Sequence, residues 1–446
     1  MRRLLIGLDI GTTTICGLVL DAATGEILSV VTRPNSSVLP GKAAWEALQD
    51  PVAIMRLVRE LVDGFLATFG DVSAIGMAGQ MHGILYVDKA GRPCSPLYTW
   101  QDGRGDVAEP GGLSTSARLS AALGTRVSTG MGVVTHAFNA AHGLVPPEAA
   151  SLCTIADFAA MTMSGGTVPR MDTSNAASLG CFDFDRMDFR REAIEKLGLD
   201  AGLFPAVTTA FPLLGQTRPG VAVSIAAGDN QASFLGSVRE VTTTALFDVG
   251  TGSRVSVHVD SAGAIPGIDI RPFPFGGFIA VGAGLSGGTS YALLRRFFER
   301  TLKLFTGTET TVSWEAMNAA KGIALDVNTR FSGTRADPSV RGSITGIGVD
   351  NFTPENLIAG VREGIAEELL EFYDRMPPAK SVAGSGNGIR LNPALRAVFE
   401  SRLGMSLNVP RHREETSFGA ALLAGVAVGV LPNLATAGKL VRYAAD

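Results

Sequence analysis

Cysteine is scarce: four occur in 446 residues, Cys16, Cys94, Cys153 and Cys181, and no two stand in a Cys-x-x-Cys pair. That pattern excludes a disulfide framework and a zinc knuckle and suits a reducing cytoplasm. Charged residues are few, 18% of the chain with a net charge of -4, and no Lys/Arg run occurs, so no nucleic-acid partner is expected. His136 and His142 lack the i, i+4 spacing of a helical zinc site, no serine sits in a nucleophile elbow, and there is no Walker A loop. Long apolar runs are missing too. Asp9 interrupts the apolar start at Leu4 before a signal-peptide core is complete, which leaves a first strand. The small-residue stretch Gly419 to Leu431 stops at Pro432, short of the roughly 20 residues that span a bilayer, and reads as a buried helix, so no membrane partner is expected.

What the chain has is length and a repeated turn. Its 446 residues exceed the roughly 100 to 200 of one domain, so two domains and a cleft are expected. Leu4 to Leu20 (LLIGLDIGTTTICGLVL) and Thr243 to Val259 (TTALFDVGTGSRVSVHV) both read as strand, Asp-x-Gly-Thr turn, strand, the pattern of a duplicated domain. A boundary near Ser237 to Thr242 gives domains 1–237 and 238–446. Apolar positions from Pro51 to Phe69 and from Pro354 to Met376 recur with helical period, and Ser73 to Met77 reads as a strand. Alternating strands and helices predict an α/β fold, with the two hairpins making each sheet mixed.

Glycine frees the backbone in the turn Gly11, Thr12, Thr13, Thr14 and in its copy Gly250, Thr251, Gly252, and N–H and hydroxyl donors there can hold phosphate oxygens. A carboxylate in such a turn would repel phosphate unless a cation lay between, which makes Asp9 a candidate Mg²⁺ partner. A tight hairpin without ligand uses the same residues, but a second copy strengthens the phosphate reading. Gly384-Ser385-Gly386, ahead of a helix beginning near Pro393, offers bare backbone to a flat ring, although an ordinary loop is equally glycine-rich. Asp229 stands where an apolar run meets a helix start; it is placed either to accept a proton from an alcohol or merely to cap the helix. Gly79-Gln80-Met81-His82-Gly83 and Trp100-Gln101-Asp102-Gly103-Arg104 supply the polar groups and flat wall that sugar recognition needs. Their bland alternatives are a hydrogen-bonding histidine and an ion pair beside a core tryptophan.

Taken in order, DIGTTT, GQMHG, TWQDGR, GDNQAS, the second GTGS turn and GSG before a helix resemble the FGGY family of carbohydrate kinases over essentially the whole chain. The resemblance implies two ribonuclease-H-like domains of the actin and hexokinase type, an N-terminal sugar-binding and a C-terminal nucleotide-binding one, with ATP and Mg²⁺ as cofactors. It implies Asp229 as catalytic base and, with Asp9, metal partner; Thr12, Thr13, Thr251 and Gly252 at the phosphates; and Gly384, Ser385, Gly386 and Asn392 by adenosine. Gln80, Met81, His82, Trp100, Asp102, Arg104 and Asn230 match sugar-facing segments. The substrate implied is a small-molecule ketose, with the NAAS and QAS wording favouring sedoheptulose over xylulose. Family members are often dimers, which leaves a homodimer open. The same fold also serves actin-like ATPases that phosphorylate nothing, but those have no need of GQMHG and WQDGR. One departure is Cys16, where many members carry Lys or Arg; Arg254 is the expected partial substitute.

Overall fold

The computed structural model describes residues 3–109, 111–334, 337 and 339–444. They form two compact units. The first comprises Met1–Arg239, Arg271–Gly277 and Glu414–Val441; the second comprises Glu240–Ile270, Phe278–Arg413 and Arg442–Asp446. A contiguous division at 237/238 misses the two returns of the chain to the first unit.

In the first unit, β1 (Leu4–Ile10), β2 (Thr14–Asp21), β3 (Glu26–Pro34), β4 (Val72–Gly79), β5 (Leu213–Gln216), β6 (Ala222–Ser224) and β7 (Ala227–Gly228) make one sheet, in the order β5-β6-β4-β1-β2-β3 with β7 also on β4. β1 is antiparallel to β2 and parallel to β4, the mixed sheet expected from a hairpin followed by a helical crossover. That crossover is α1 (Pro51–Thr68), started by Asp50, whose carboxylate accepts from Val52 N–H at 2.8 Å, with Pro51 in the first turn where its missing N–H costs nothing. Its apolar stripe buries Ile54, Met55, Val58, Leu61, Val62 and Phe65, each contributing roughly 1.5 to 3 kcal/mol. Two further helices of this unit, α2 (Thr173–Ser178) and α3 (Asp229–Ser237), lie next to the end of β7.

The C-terminal helix Glu415–Ala427 belongs to this unit because small residues let it lie directly on the sheet. A Cβ on Gly7 would stand 1.8 Å from Ser417 O, and one on Gly76 1.9 Å from Ala420 O. No side chain fits at either place.

The second unit repeats the plan. β8 (Thr244–Val249), β9 (Ser253–Val259), β10 (Phe278–Gly284), β11 (Ser381–Ser385) and β12 (Leu407–Asn408) run in the order β10-β9-β8-β11-β12, with the hairpin pairs antiparallel and β8, β11 and β12 parallel. This is the order and sense of β3-β2-β1-β4-β6. Over it lie α4 (Gly287–Thr306), α5 (Pro354–Tyr373) and α6 (Pro393–Leu403). All four cysteines are free thiols, and no helix among the described residues is long and apolar enough to cross a membrane.

Candidate active site

The first Asp-x-Gly-Thr turn closes β1 onto β2, with Gly11 N–H donating to Thr14 O at 3.0 Å. Its carbonyls are held by neighbouring segments. Asn35 Nδ2 donates to Gly11 O and Gln49 Nε2 to Thr12 O, both at 2.8 Å, and Asn35 N–H donates to Thr13 O at 2.8 Å. What the turn offers a ligand is therefore donor character, including the hydroxyls of Thr13 and Thr14 on its exposed side, which suits an anion. The Thr12 hydroxyl is occupied: it accepts from Trp100 Nε1 at 3.0 Å and donates to Gln80 Oε1 at 3.2 Å.

Asp9 and Asp229 reach the same edge of the sheet. Asp9 pairs with Ala78 of β4, while Ala227 pairs with Ala78 and Gly228 with Gly79 from the other side. With strands about 4.8 Å apart, the backbones carrying the two carboxylates are roughly 10 Å apart across the C-terminal end of β4, where open α/β sheets bind ligands. Both residues are partly exposed. Asp229 is the first residue of α3, behind the N-cap Gly228, so it is no helix cap, and the helix N-terminus favours its negative charge. Among the described residues no three His, Cys, Asp or Glu side chains gather into a metal cage. Two partly exposed carboxylates at one sheet edge are oxygen ligands of the kind taken by a cation such as Mg²⁺, which keeps its waters and arrives on phosphates.

The two segments expected to face sugar behave differently from each other. Met81 is buried against Gly228, where a Cβ would come 2.6 Å from Met81 Cε, and Asn230 Nδ2 lies 3.5 Å from Met81 Sδ and 3.2 Å from Asp229 Oδ1. GQMHG and GDN thus meet, although 149 residues separate Met81 from Asn230. His82 has a left-handed backbone, φ 73°, and its Nδ1 donates to Ser178 O at 2.7 Å, which makes Nε2 the acceptor of the neutral ring. Gln80 is buried; its Nε2 donates to Gln49 Oε1 at 2.8 Å. Trp100 is 47% exposed and can serve as a wall.

Asp102 and Arg104 do not face a ligand. They are 0% and 2% exposed and pair with each other at 2.6 Å. Asp102 Oδ2 also accepts from Ala47 N–H at 3.0 Å, Arg104 donates to Asn139 Oδ1 at 2.5 Å, and its guanidinium lies 4.1 Å from the Tyr98 ring centre. The expectation that this pair holds sugar hydroxyls is corrected: it pins the loop that presents Trp100. The ion pair was legible from spacing, but its burial was not.

In the second unit a cavity of about 660 Å³ is lined by Gly250 and Thr251 of the second turn, Gly288 and Thr289 of α4, and Tyr291, Trp314, Asn387 and Asn392, among others. Gly288 N–H donates to Gly250 O at 2.9 Å and Thr289 N–H to Thr251 O at 3.0 Å, so the turn rests on the head of α4. Trp314 stacks on Tyr291 at 5.8 Å and 16°, with the Arg295 guanidinium 4.5 Å from its ring centre. A flat apolar slot beside a Gly-Thr turn has a shape that suits a planar ring with an anionic tail.

The adenosine-side assignment needs correction. Asn392 lines the cavity while capping α6, its Oδ1 accepting from Leu395 N–H at 3.0 Å. Gly384 and Ser385 instead lie buried in β11, where a Cβ on Gly384 would meet Leu407 at 2.4 Å. Gly386, φ 80°, brings its Cα against β8, with a Cβ 2.4 Å from Val249 O. Gly252, next to the lining pair, is exposed in the turn, and a Cβ there would stand 3.2 Å from Gly284 O. Trp314, Tyr291 and Thr289 escaped sequence reasoning, though Gly287-Gly288-Thr289 opening an amphipathic helix was an available signal. Arg254 is paired with Asp248 at 2.8 Å and so serves its own turn.

Residues 4–236 match the N-terminal domain, and 249–428 the C-terminal domain, of the FGGY family of carbohydrate kinases. The chain belongs to that family. This FGGY kinase is 26% identical to the sedoheptulokinase of Mus musculus, over 95% of this chain and 97% of the other. It is equally 26% identical to a glycerol kinase of Vibrio vulnificus strain YJ016, over 96% and 89%. Among solved structures, the xylulose kinase of Lactobacillus acidophilus overlays with a TM-score of 0.84 at 17% identity, covering 99% of this chain and 92% of that one. The xylulose kinase of Rhodospirillum rubrum gives 0.83 at 20%, covering 99% and 93%. These overlays establish the two-domain α/β fold of the actin and hexokinase type. The protein is a carbohydrate kinase.

Proposed function

We propose that this kinase transfers the γ-phosphoryl group of ATP to a hydroxyl of a ketose, with Asp229 as the general base. The observation that carries the reading is the placement of Asp229 at the head of α3, on the open end of the sheet and beside Met81 and Asn230. The substrate hydroxyl gives its proton to Asp229 as its oxygen bonds to phosphorus, the bond to the bridging oxygen breaks, and ADP leaves. Mg²⁺, when bound with the nucleotide, neutralises charge on the phosphate oxygens, and Asp9 and Asp229 are the residues that would hold it. In the first unit the donors at Thr13 and Thr14 serve phosphate oxygens and Trp100 stacks on the sugar; in the second unit those at Gly250 and Thr251 serve phosphate oxygens and Trp314 and Tyr291 hold the base.

The ketose we favour is sedoheptulose, phosphorylated at its 7-hydroxyl, because similarity to the mouse sedoheptulokinase runs nearly end to end in both chains. Glycerol kinases match at the same identity, and that favours keeping a short polyol as the second reading. An ADP-release assay with Mg²⁺-ATP over sedoheptulose, xylulose, ribulose, fructose and glycerol decides. The highest kcat/KM is expected for sedoheptulose. Xylulose or glycerol in front would move the substrate but keep the mechanism, and no stimulation by any of them would overturn the ketose reading.

A further inference from the structure

α2 is a six-residue helix whose two ends hold the two segments that matter most for the proposed chemistry. At its start, the Ser174 hydroxyl accepts the N–H of Gly228, the residue just before Asp229, at 3.0 Å. The same hydroxyl donates to Asp172 Oδ1 at 2.5 Å, and that oxygen also takes Ser174 N–H at 2.8 Å. At its end, the Ser178 hydroxyl accepts His82 N–H at 3.2 Å and donates to Asn175 O at 2.7 Å, while Ser178 O accepts from His82 Nδ1. Every hydrogen of these chains has one direction available. Gly228 N–H can only donate, so the serine proton must go to Asp172; His82 N–H can only donate, so the Ser178 proton must go to Asn175 O.

The helix is fixed to the core between these ends. Asn175 Nδ2 donates to Asp157 Oδ1 at 3.0 Å, and Asp157 closes the capping box of the helix Ile155–Met163, with Thr154 Oγ1 donating to Asp157 Oδ2 at 2.6 Å. Ser174, Asn175, Asp172 and Asp157 are all at or below 1% exposed. Hydrogen bonds in so dry a setting are electrostatically stronger than in water. Ser174 and Ser178 stand four residues apart, about 6 Å along the axis.

We infer that α2 is a positioning element that holds the base-bearing head of α3 through Ser174 and the sugar loop through Ser178, and so sets the distance between proton acceptor and substrate. The inference rests on the proposed role of Asp229. β7 contributes two paired residues before Asp229, and beyond it α3 packs closely on the helix Glu415–Ala427, where a Cβ on Gly419 would stand 1.8 Å from Ala232 O. The Ser174 bond is a further constraint, at Gly228 itself. Proton transfer is sensitive to such placement: a shift of about 1 Å from a distant change costs roughly a hundredfold.

The test uses the whole protein in steady-state kinetics. Ser174→Ala is expected to lower kcat about tenfold with the KM for ATP and for the ketose within about twofold of wild type. Ser178→Ala is expected to raise the ketose KM and leave the KM for ATP alone. Ser174→Thr, which keeps the hydroxyl, should recover most of the loss and serves if the alanine variant does not fold. The deciding readout is a cycle with Asp229→Asn: if Ser174 acts through Asp229, Ser174→Ala adds almost nothing in that background. Wild-type kcat in Ser174→Ala, or a full additive loss in the cycle, would overturn the inference. A wild-type enzyme active on a ketose but insensitive to Asp229→Asn would instead overturn the base assignment itself.

Discussion

Asp248 and Arg254 face each other across the second hairpin, carboxylate to guanidinium at 2.8 Å. The matching place opposite Asp9 in the first hairpin is Cys16. Directly opposed residues of an antiparallel pair share one face of the sheet. One turn therefore sets a guanidinium opposite its carboxylate, and the other a thiol whose pKa burial pushes up. Arg254→Ala would leave Asp248 without that guanidinium beside the turn proposed to hold phosphate. The KM for ATP should rise about tenfold, ~1.4 kcal/mol, with the ketose KM unchanged. Initial rates over an ATP series check this, and an unchanged KM would show that the pair has no part in nucleotide binding.

Asp229→Asn keeps the side-chain shape and removes the proposed proton acceptor. kcat should fall by roughly 10² to 10⁴ while calorimetry still shows nucleotide and ketose binding. Turnover within about threefold of wild type would remove Asp229 from the chemistry.

Trp314 is a wall of the second-unit cavity, its ring stacked on Tyr291 and the Arg295 guanidinium 4.5 Å from its centre. Trp314→Ala should weaken ATP by about 1 kcal/mol, roughly fivefold, and leave phosphate-only contacts in place. Titration of ATP against inorganic triphosphate separates these: only the nucleotide should lose affinity.

Breaking a buried ion pair strands a charge. Arg104→Met should cost about 3 to 5 kcal/mol and lower Tm by about 10 °C, because Asp102 remains fully buried. If Arg104 bound sugar, the variant would melt normally and show only a raised ketose KM. Differential scanning calorimetry decides between the two.

Burial pushes His136 down to about 4, with its Nδ1 2.9 Å from the Tyr86 hydroxyl. Between about 6.5 and 4 the unfolded chain takes up a proton that the folded ring refuses, so stability is lost as pH falls through that window. Burial raises Asp157 to about 7 and Asp172 to about 6, and these work in the opposite sense, each stabilising the fold more as pH falls. Comparing urea midpoints at about pH 7.5 and 5 for wild type and His136→Gln isolates the histidine. The variant should lose less on acidification.

Several candidate segments were legible as local structure because their parts are near neighbours. An Asp-x-Gly-Thr turn, an apolar run ending at Asp229 and a GSG loop before Pro393 each announce themselves within a dozen residues, since turn chemistry and helix starts depend on near neighbours. Periodicity likewise marked α1 and α5, and repetition marked the duplicated sheet. The misreadings fall where partners are remote. Asp102 and Arg104 looked like a displayed pair, but Ala47 and Asn139 take up their remaining groups and bury them. Trp314 carried no motif at all.

The sequence by itself determined the turns, the amphipathic helices, the repeated hairpin and the family to which they belong, because backbone preference and burial period act over a few residues. Only the tertiary structure decided which polar groups remain for a ligand. Thr12 is occupied by Trp100, Ser174 holds Gly228, and Ser178 holds His82 across separations of 88, 54 and 96 residues. A buried donor must find an acceptor wherever the fold supplies one, and no spacing along the chain states where that is.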